Sequence, residues 1–251
     1  RSHGARGPEM QAGDSGQAPR RDGFAATRWS LVAGAAERAQ ASLAELCVRY
    51  WFPVYAYARR SGHPPEVAQQ ITLAYFHHLV TQRLAQRDAR APGRFREFLL
   101  AELDHFLAEV WDGEPVARPA EGIAAPLPVG LLEGRHQLEA QAAGSAVAAF
   151  QRGFALEIIA HALERLRREA AAAGREAMFE ALEPWLSAEP PPGEYEALAT
   201  RLASRPLSLV VALKRLRQRF RELADEELVQ TVASGADLEA ERAALRAVLG
   251  G

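Results

Sequence analysis

The sequence predicts an all-α fold of two helical domains joined by a Pro/Gly-rich linker. Three observations carry that expectation. Apolar residues recur at spacings of three and four along most of the chain, the period of a helix with one buried face. Ala, Leu, Glu and Arg dominate the composition and β-branched runs are scarce, which favours helix over strand. Helical pattern fails over residues 112–130, where Pro115, Pro119, Pro126 and Pro128 mix with Gly113, Gly122 and Gly130.

Residues 1–23 are rich in Gly, Gln, Arg, Asp and Ser without periodicity and read as a disordered arm. Order is expected from Phe24, with Thr27 capping a short helix over 29–36. Over 41–60 the residues Leu43, Leu46, Cys47, Tyr50, Trp51, Val54 and Tyr57 form one apolar face. Pro53 inside that run predicts a kink or break, with Phe52 pushed out of helical geometry. Gly62 suits the C-cap of the turn 61–65. A second helix over 66–82 presents Val67, Ile71, Tyr75, Phe76 and Leu79. A third over 94–111 presents Phe95, Phe98, Leu99, Leu103, Phe106, Leu107 and Val110. These make a first domain, 24–111, followed by the linker, 112–144.

Pattern resumes at 145–173 with the stripe Leu156, Ile159, Leu163 and Leu166, and Phe150 and Phe154 nearby; Gly174 ends it. A short helix over 175–186 buries Met178, Phe179, Leu182 and Trp185. The breaker 189–193 follows, then a helix-turn-helix over 194–221 inside a second domain, 145–232. A C-terminal helix lies in 233–251, with its amphipathic pattern at 238–249. Ser204 can cap the second helix, and Pro206 suits its first turn.

Charge singles out that helix-turn-helix. From Tyr195 to Arg221 there are seven Lys or Arg against one acid, Glu196, in a chain whose net charge is only −2. A local cationic face of this kind suits a phosphate backbone. Other chemistry finds little support. His77–His78 and Asp104–His105 lack metal-ligand spacing, and there is no phosphate-binding Gly loop or nucleophile elbow. No catalytic residue, cofactor or metal is expected. The single Cys47 fits a core position and a reducing compartment, and no apolar stretch reaches about 18 residues. A cytoplasmic protein without membrane contact is the expectation.

Several runs carry a family resemblance: residues 25–32 (AATRWSLV), 46–60 (LCVRYWFPVYAYARR), 62–68 (GHPPEVA), 93–100 (GRFREFLL) and 194–221. In this order they resemble the sigma-70 family of bacterial RNA polymerase sigma factors, in its two-domain extracytoplasmic-function type. The resemblance covers roughly 24–232. It implies a sigma-2-like domain that docks on core RNA polymerase and melts the −10 element. It also implies a sigma-4-like domain that binds the −35 element of promoter DNA. Mapped onto this sequence, polymerase contact falls to Glu66, Gln69, Gln70, Thr72 and Phe76. DNA contact falls to Arg94, Arg96, Arg205, Ser208, Lys214, Arg215 and Arg217.

The sequence departs from that family in three places. Gln69 and Gln70 stand where acids usually meet the polymerase. Phosphorylation of Thr72 by a Ser/Thr kinase would restore about −1.5 to −2 of charge there. Residues 94–118 carry three Arg against six acids, which repel a phosphate backbone. In the helix-turn-helix, Ala203 stands where family members usually carry Gly, in a turn that favours φ > 0, and the recognition helix starts with Leu207, Ser208, Leu209 and Val210, of which only Ser208 can hydrogen-bond a base. Two readings follow. One is a sigma-like initiation factor gated at Thr72. The other is a diverged sigma-fold protein that has lost promoter recognition and binds a protein partner or regulator.

Overall fold

The computed structural model describes residues 36–83, 93–116, 120, 122–123, 127–140 and 144–249. The arm at 1–23, the onset at Phe24 and the helix capped by Thr27 lie outside the described residues. The fold is all-α. The helices are α1 (Ala36–Arg49), α2 (Trp51–Arg60), α3 (Pro65–His78), α4 (Phe95–Glu109), α5 (Val129–Ala140), α6 (Ala146–Ala172), α7 (Glu176–Leu182), α8 (Glu194–Arg201), α9 (Pro206–Val229) and α10 (Gly235–Leu249). A π-helical turn, Leu79–Arg83, extends α3, and a 3-10 turn, Glu183–Trp185, extends α7. Among the described residues the only β pairing is one isolated antiparallel bridge, Arg94 with Val232.

The break expected near Pro53 is present but sits earlier. Tyr50 leaves helical geometry at φ −111° and ψ 36°, and α2 begins at Trp51. Phe52 is therefore helical, a correction. Pro53 falls in the first turn of α2, where a missing N–H costs no hydrogen bond. Ser145 caps α6 by accepting from the Ala148 amide at 3.1 Å, and Gly174 follows its end at φ 63°.

The centre of the bundle is α2 against α6, packed so closely that Gly153 is required. A Cβ at Gly153 would lie 3.1 Å from the Pro53 Cα. Tyr50 stacks on Phe154 at 4.4 Å between ring centroids. The same core takes in Leu43, Leu46 and the fully buried Cys47, whose thiol burial pushes up and leaves inert. By length and hydropathy α6 alone among the described residues could cross a membrane. That revises the expectation that no stretch is apolar enough; the helix is apolar because it lies at the centre of the bundle, with Phe150, Phe154, Ile158 and Leu166 buried.

The segment expected as a linker, 112–144, contains α5 in its second half, which corrects the reading of that half as linker. Pro128 does not interrupt a helix but starts one, its carbonyl accepting from the amides of Leu131 and Leu132. Leu132 is fully buried. Glu133 clamps α5 to α2, accepting from Arg59 at 2.7 and 2.8 Å and from the Tyr55 hydroxyl at 2.9 Å. The largest core runs across this segment, joining Leu43–Phe106 of the first part to Ala149–Ile158 and Leu228–Leu245 of the second.

Candidate nucleic-acid interface

The helix-turn-helix consists of α8 and α9. Gly193, at φ 88°, turns the chain into α8. Ala203 then adopts φ 47°, the left-handed conformation that its position demands. A Cβ is disfavoured there by roughly 1–2 kcal/mol. Ala203→Gly is therefore expected to raise the unfolding free energy by about 0.5–1 kcal/mol, the relief being partly offset by a freer unfolded chain. Denaturant midpoints at constant slope check it.

Ser204 does not cap α9, contrary to expectation. Its amide instead bonds the Ala199 carbonyl, closing the turn. Arg205 occupies the N-cap position in extended geometry, φ −104° and ψ 140°, without a side-chain cap. Pro206 explains this: the residue before proline is driven out of helical conformation.

At 24 residues, about 36 Å, α9 runs past three cores. Leu209 and Leu213 pack with Leu182, Leu198 and Ala199. Leu223 packs with Ala162, Leu166 and Phe179. Leu228 enters the main core. What is left outward near the turn is mixed. Leu207 is 74% exposed, and Val210 and Val211 are exposed beside it. Arg201, Arg205, Ser208, Lys214 and Arg215 are all exposed. None of these four cations makes an ion pair or side-chain hydrogen bond among the described residues.

Of the remaining cations of α9, Arg221 is exposed and donates to Gln218 at 2.8 Å, whereas Arg217 and Arg219 are held by partners from other elements. Arg217 donates to the carbonyls of Trp185 at 2.8 Å and Ala188 at 2.6 Å and pairs with Glu189. It therefore buttresses the end of the 3-10 turn, and its expected DNA contact is corrected. Arg219 is shared by Glu169, Glu222 and Glu226, and its guanidinium holds the Glu169 carboxyl below its usual range.

Of the first-part residues, Arg96 is buried. Its Nε and Nη2 donate to Glu241 at 2.7 and 2.8 Å, and it also bonds Gln151. Arg94 pairs with Glu97 and reaches Glu241 at 3.4 Å. Neither guanidinium is presented to a duplex, a second correction. Along α3, Glu66 and Gln70 are exposed, and Gln69 donates to the Leu127 carbonyl at 3.1 Å. Thr72 and Phe76 are fully buried. They continue the stripe of Ala68, four residues apart, so they face the core. The Thr72 hydroxyl donates to the Ala68 carbonyl at 2.7 Å and offers nothing to a kinase, while Phe76 packs on Trp51. Thr72 as a phosphate gate and Phe76 as a contact residue are both withdrawn.

No family model, curated protein or solved structure matches this chain. The reading therefore rests on the residues. Among those described, no three metal-ligating side chains cluster. Two ionic clusters that the sequence reading passed over stand out instead: Glu241 with Arg96, and Glu227 at the far end of α9. Glu227 accepts from Arg49 and from the Tyr50 hydroxyl at 3.1 Å, and His161 Nδ1 lies 3.3 Å away. His161 Nε2 also lies 3.7 Å from Glu157, which pairs with Arg135.

Proposed function

We propose that this chain is a sigma-like transcription initiation factor that binds core RNA polymerase and directs it to promoter DNA, with α8 and α9 seated on the duplex. The observation that carries the DNA contact is the set Arg201, Arg205, Lys214 and Arg215. These four cations lie on the turn and the first half of α9, are exposed, and have no ion-pair partner among the described residues. Such groups suit phosphate, which positions a protein on DNA without reading sequence. Of Leu207, Ser208, Leu209 and Val210, only Ser208 can hydrogen-bond a base edge. Polymerase contact falls to Glu66 and Gln70, the exposed members of the expected set. A cytoplasmic location and the absence of an enzymatic step belong to the same proposal.

A second reading draws on Leu207, Val210 and Val211. Exposed apolar side chains at the start of a recognition helix suit a protein surface better than base edges. In that reading the chain is a sigma-fold interaction protein that no longer recognises promoters.

Two measurements separate the readings. Run-off transcription with core polymerase is expected to depend on this chain under the first. Duplex DNA affinity is expected to fall with salt at a log–log slope of about −3 to −4, as four phosphate contacts require. Arg205→Ala and Lys214→Ala should each flatten that slope by about 1. A flat salt response together with no polymerase association would leave only the second reading.

A further inference from the structure

A cavity of about 300 Å³ lies between α6, α7 and α9, bordering the proposed DNA face and sharing Ser208 and Arg215 with it. Its apolar wall is Leu166, Ala170, Met178, Phe179, Ala212 and Leu216. Leu166, Ala170 and Phe179 are buried there, so the depth of the cavity is built from core residues. Its remaining lining includes four charged groups: Arg175, Arg215, Arg219 and Glu169. Glu169 and Arg219 satisfy one another through two hydrogen bonds, at 2.9 and 2.7 Å. Arg175 and Arg215 are exposed, and neither side chain has a partner among the described residues. The cavity is thus apolar in its depth and has two exposed guanidiniums in its lining without a partner among the described residues.

We infer that this cavity binds a small amphipathic monoanion, an apolar body of about ten heavy atoms, at roughly 30 Å³ each, bearing one carboxylate. Arg175 and Arg215 hold the carboxylate as the charge-assisted donors suited to it. The body fills the space between Met178, Phe179 and Leu216, where removal from water supplies the affinity. The Glu169 carboxylate in the lining favours a single negative charge over a dianionic phosphate head. The inference needs neither polymerase nor DNA, although Arg215 serves both the cavity and the proposed DNA contact.

The test is a titration of the full chain with decanoate, decanamide and decylamine, followed by the ε-methyl NMR signals of methionine. The chain has two methionines, Met10 and Met178. Met178 lines the cavity and reports on it, and Met10 is the internal reference. Decanoate is expected to shift Met178 saturably, with Kd roughly 0.1–1 mM for a ligand of this size. Decanamide should bind about tenfold more weakly and decylamine more weakly still, since only the carboxylate gains charge-assisted bonds. Arg175→Gln and Arg215→Gln should each weaken decanoate about fivefold and leave decanamide unchanged. Ala212→Phe should abolish the shift with every probe. If that variant fails to fold, the two arginine variants, both at exposed positions, still decide. A Met178 signal unmoved by decanoate, or moved equally by decanoate and decanamide, overturns the inference. So does indifference of decanoate binding to both arginine variants.

Discussion

Glu241→Ala is expected to lower the unfolding free energy by about 3–4 kcal/mol, the range for breaking a buried ion pair from one side. The Glu241 side chain is 1% exposed and that of Arg96 is 6% exposed, so neither charge can turn to water without local unfolding. The pair is bidentate, and Gln151 and Arg94 take up further hydrogen-bonding capacity around it. Three elements meet in this cluster: Arg96 from α4, Gln151 from α6 and Glu241 from α10. Removing the carboxylate leaves a guanidinium buried with only an amide partner. Removing both charges is a different change. Glu241→Leu with Arg96→Leu takes away the charge and its desolvation together, and is expected to recover most of the loss. Urea unfolding of the three chains checks this. A single variant within about 1 kcal/mol of the parent would mean that the pair contributes nothing beyond an exposed surface bridge.

The sequence shows why such a pair is hard to foresee and what trace it leaves. Helix existence was legible almost throughout, because stripes such as Leu43, Leu46, Cys47 and Tyr50 report burial directly. The turn before α9 was legible too: a left-handed position was expected at Ala203, and it is found there. Element α5 was missed because Pro and Gly density was taken as the absence of helix, although Pro128 starts one. The direction of side chains on α3 was misjudged. Gln69 and Thr72 lie three apart and look like neighbours, but Thr72 belongs to the buried Ala68 and Phe76 stripe. The fates of Arg96 and Arg217 were not legible, because their partners lie far along the chain, with Glu241 separated from Arg96 by 145 residues. One signal was available. Glu241 interrupts the apolar stripe of Leu238, Leu245 and Val248, and Glu227 stands four residues after the buried Leu223. A carboxylate set in an apolar stripe must find a cation, and the stripe alone does not say which.

Glu227 should make stability fall steeply in acid. Burial pushes its carboxyl up, but the hydrogen bond from Arg49 and the proximity of Arg49 and His161 outweigh that and hold it at about 2, against an ordinary 4.5. A carboxylate whose folded pKa lies below its unfolded one stabilises the fold fully above the unfolded value. That stability is lost as pH falls from about 4.5 towards 2. The difference corresponds to about 3 kcal/mol. Glu133, which the Arg59 guanidinium likewise holds at about 2, adds loss in the same window. Glu157 works the other way: burial raises its pKa despite Arg135 and His161, so protonating it in mild acid favours the folded state. Glu227→Gln isolates the first contribution, since the amide keeps the shape and cannot titrate. At pH 6 the variant should be less stable than the parent by about 3 kcal/mol, and the gap should close as pH approaches 2. A gap that stays constant from pH 6 to pH 2 would mean that Glu227 is bound through its shape and hydrogen bonds alone. A gap that closes ties the far end of α9 to α1 and α6 by charge, because Arg49 and His161 are the groups whose attraction the proton removes.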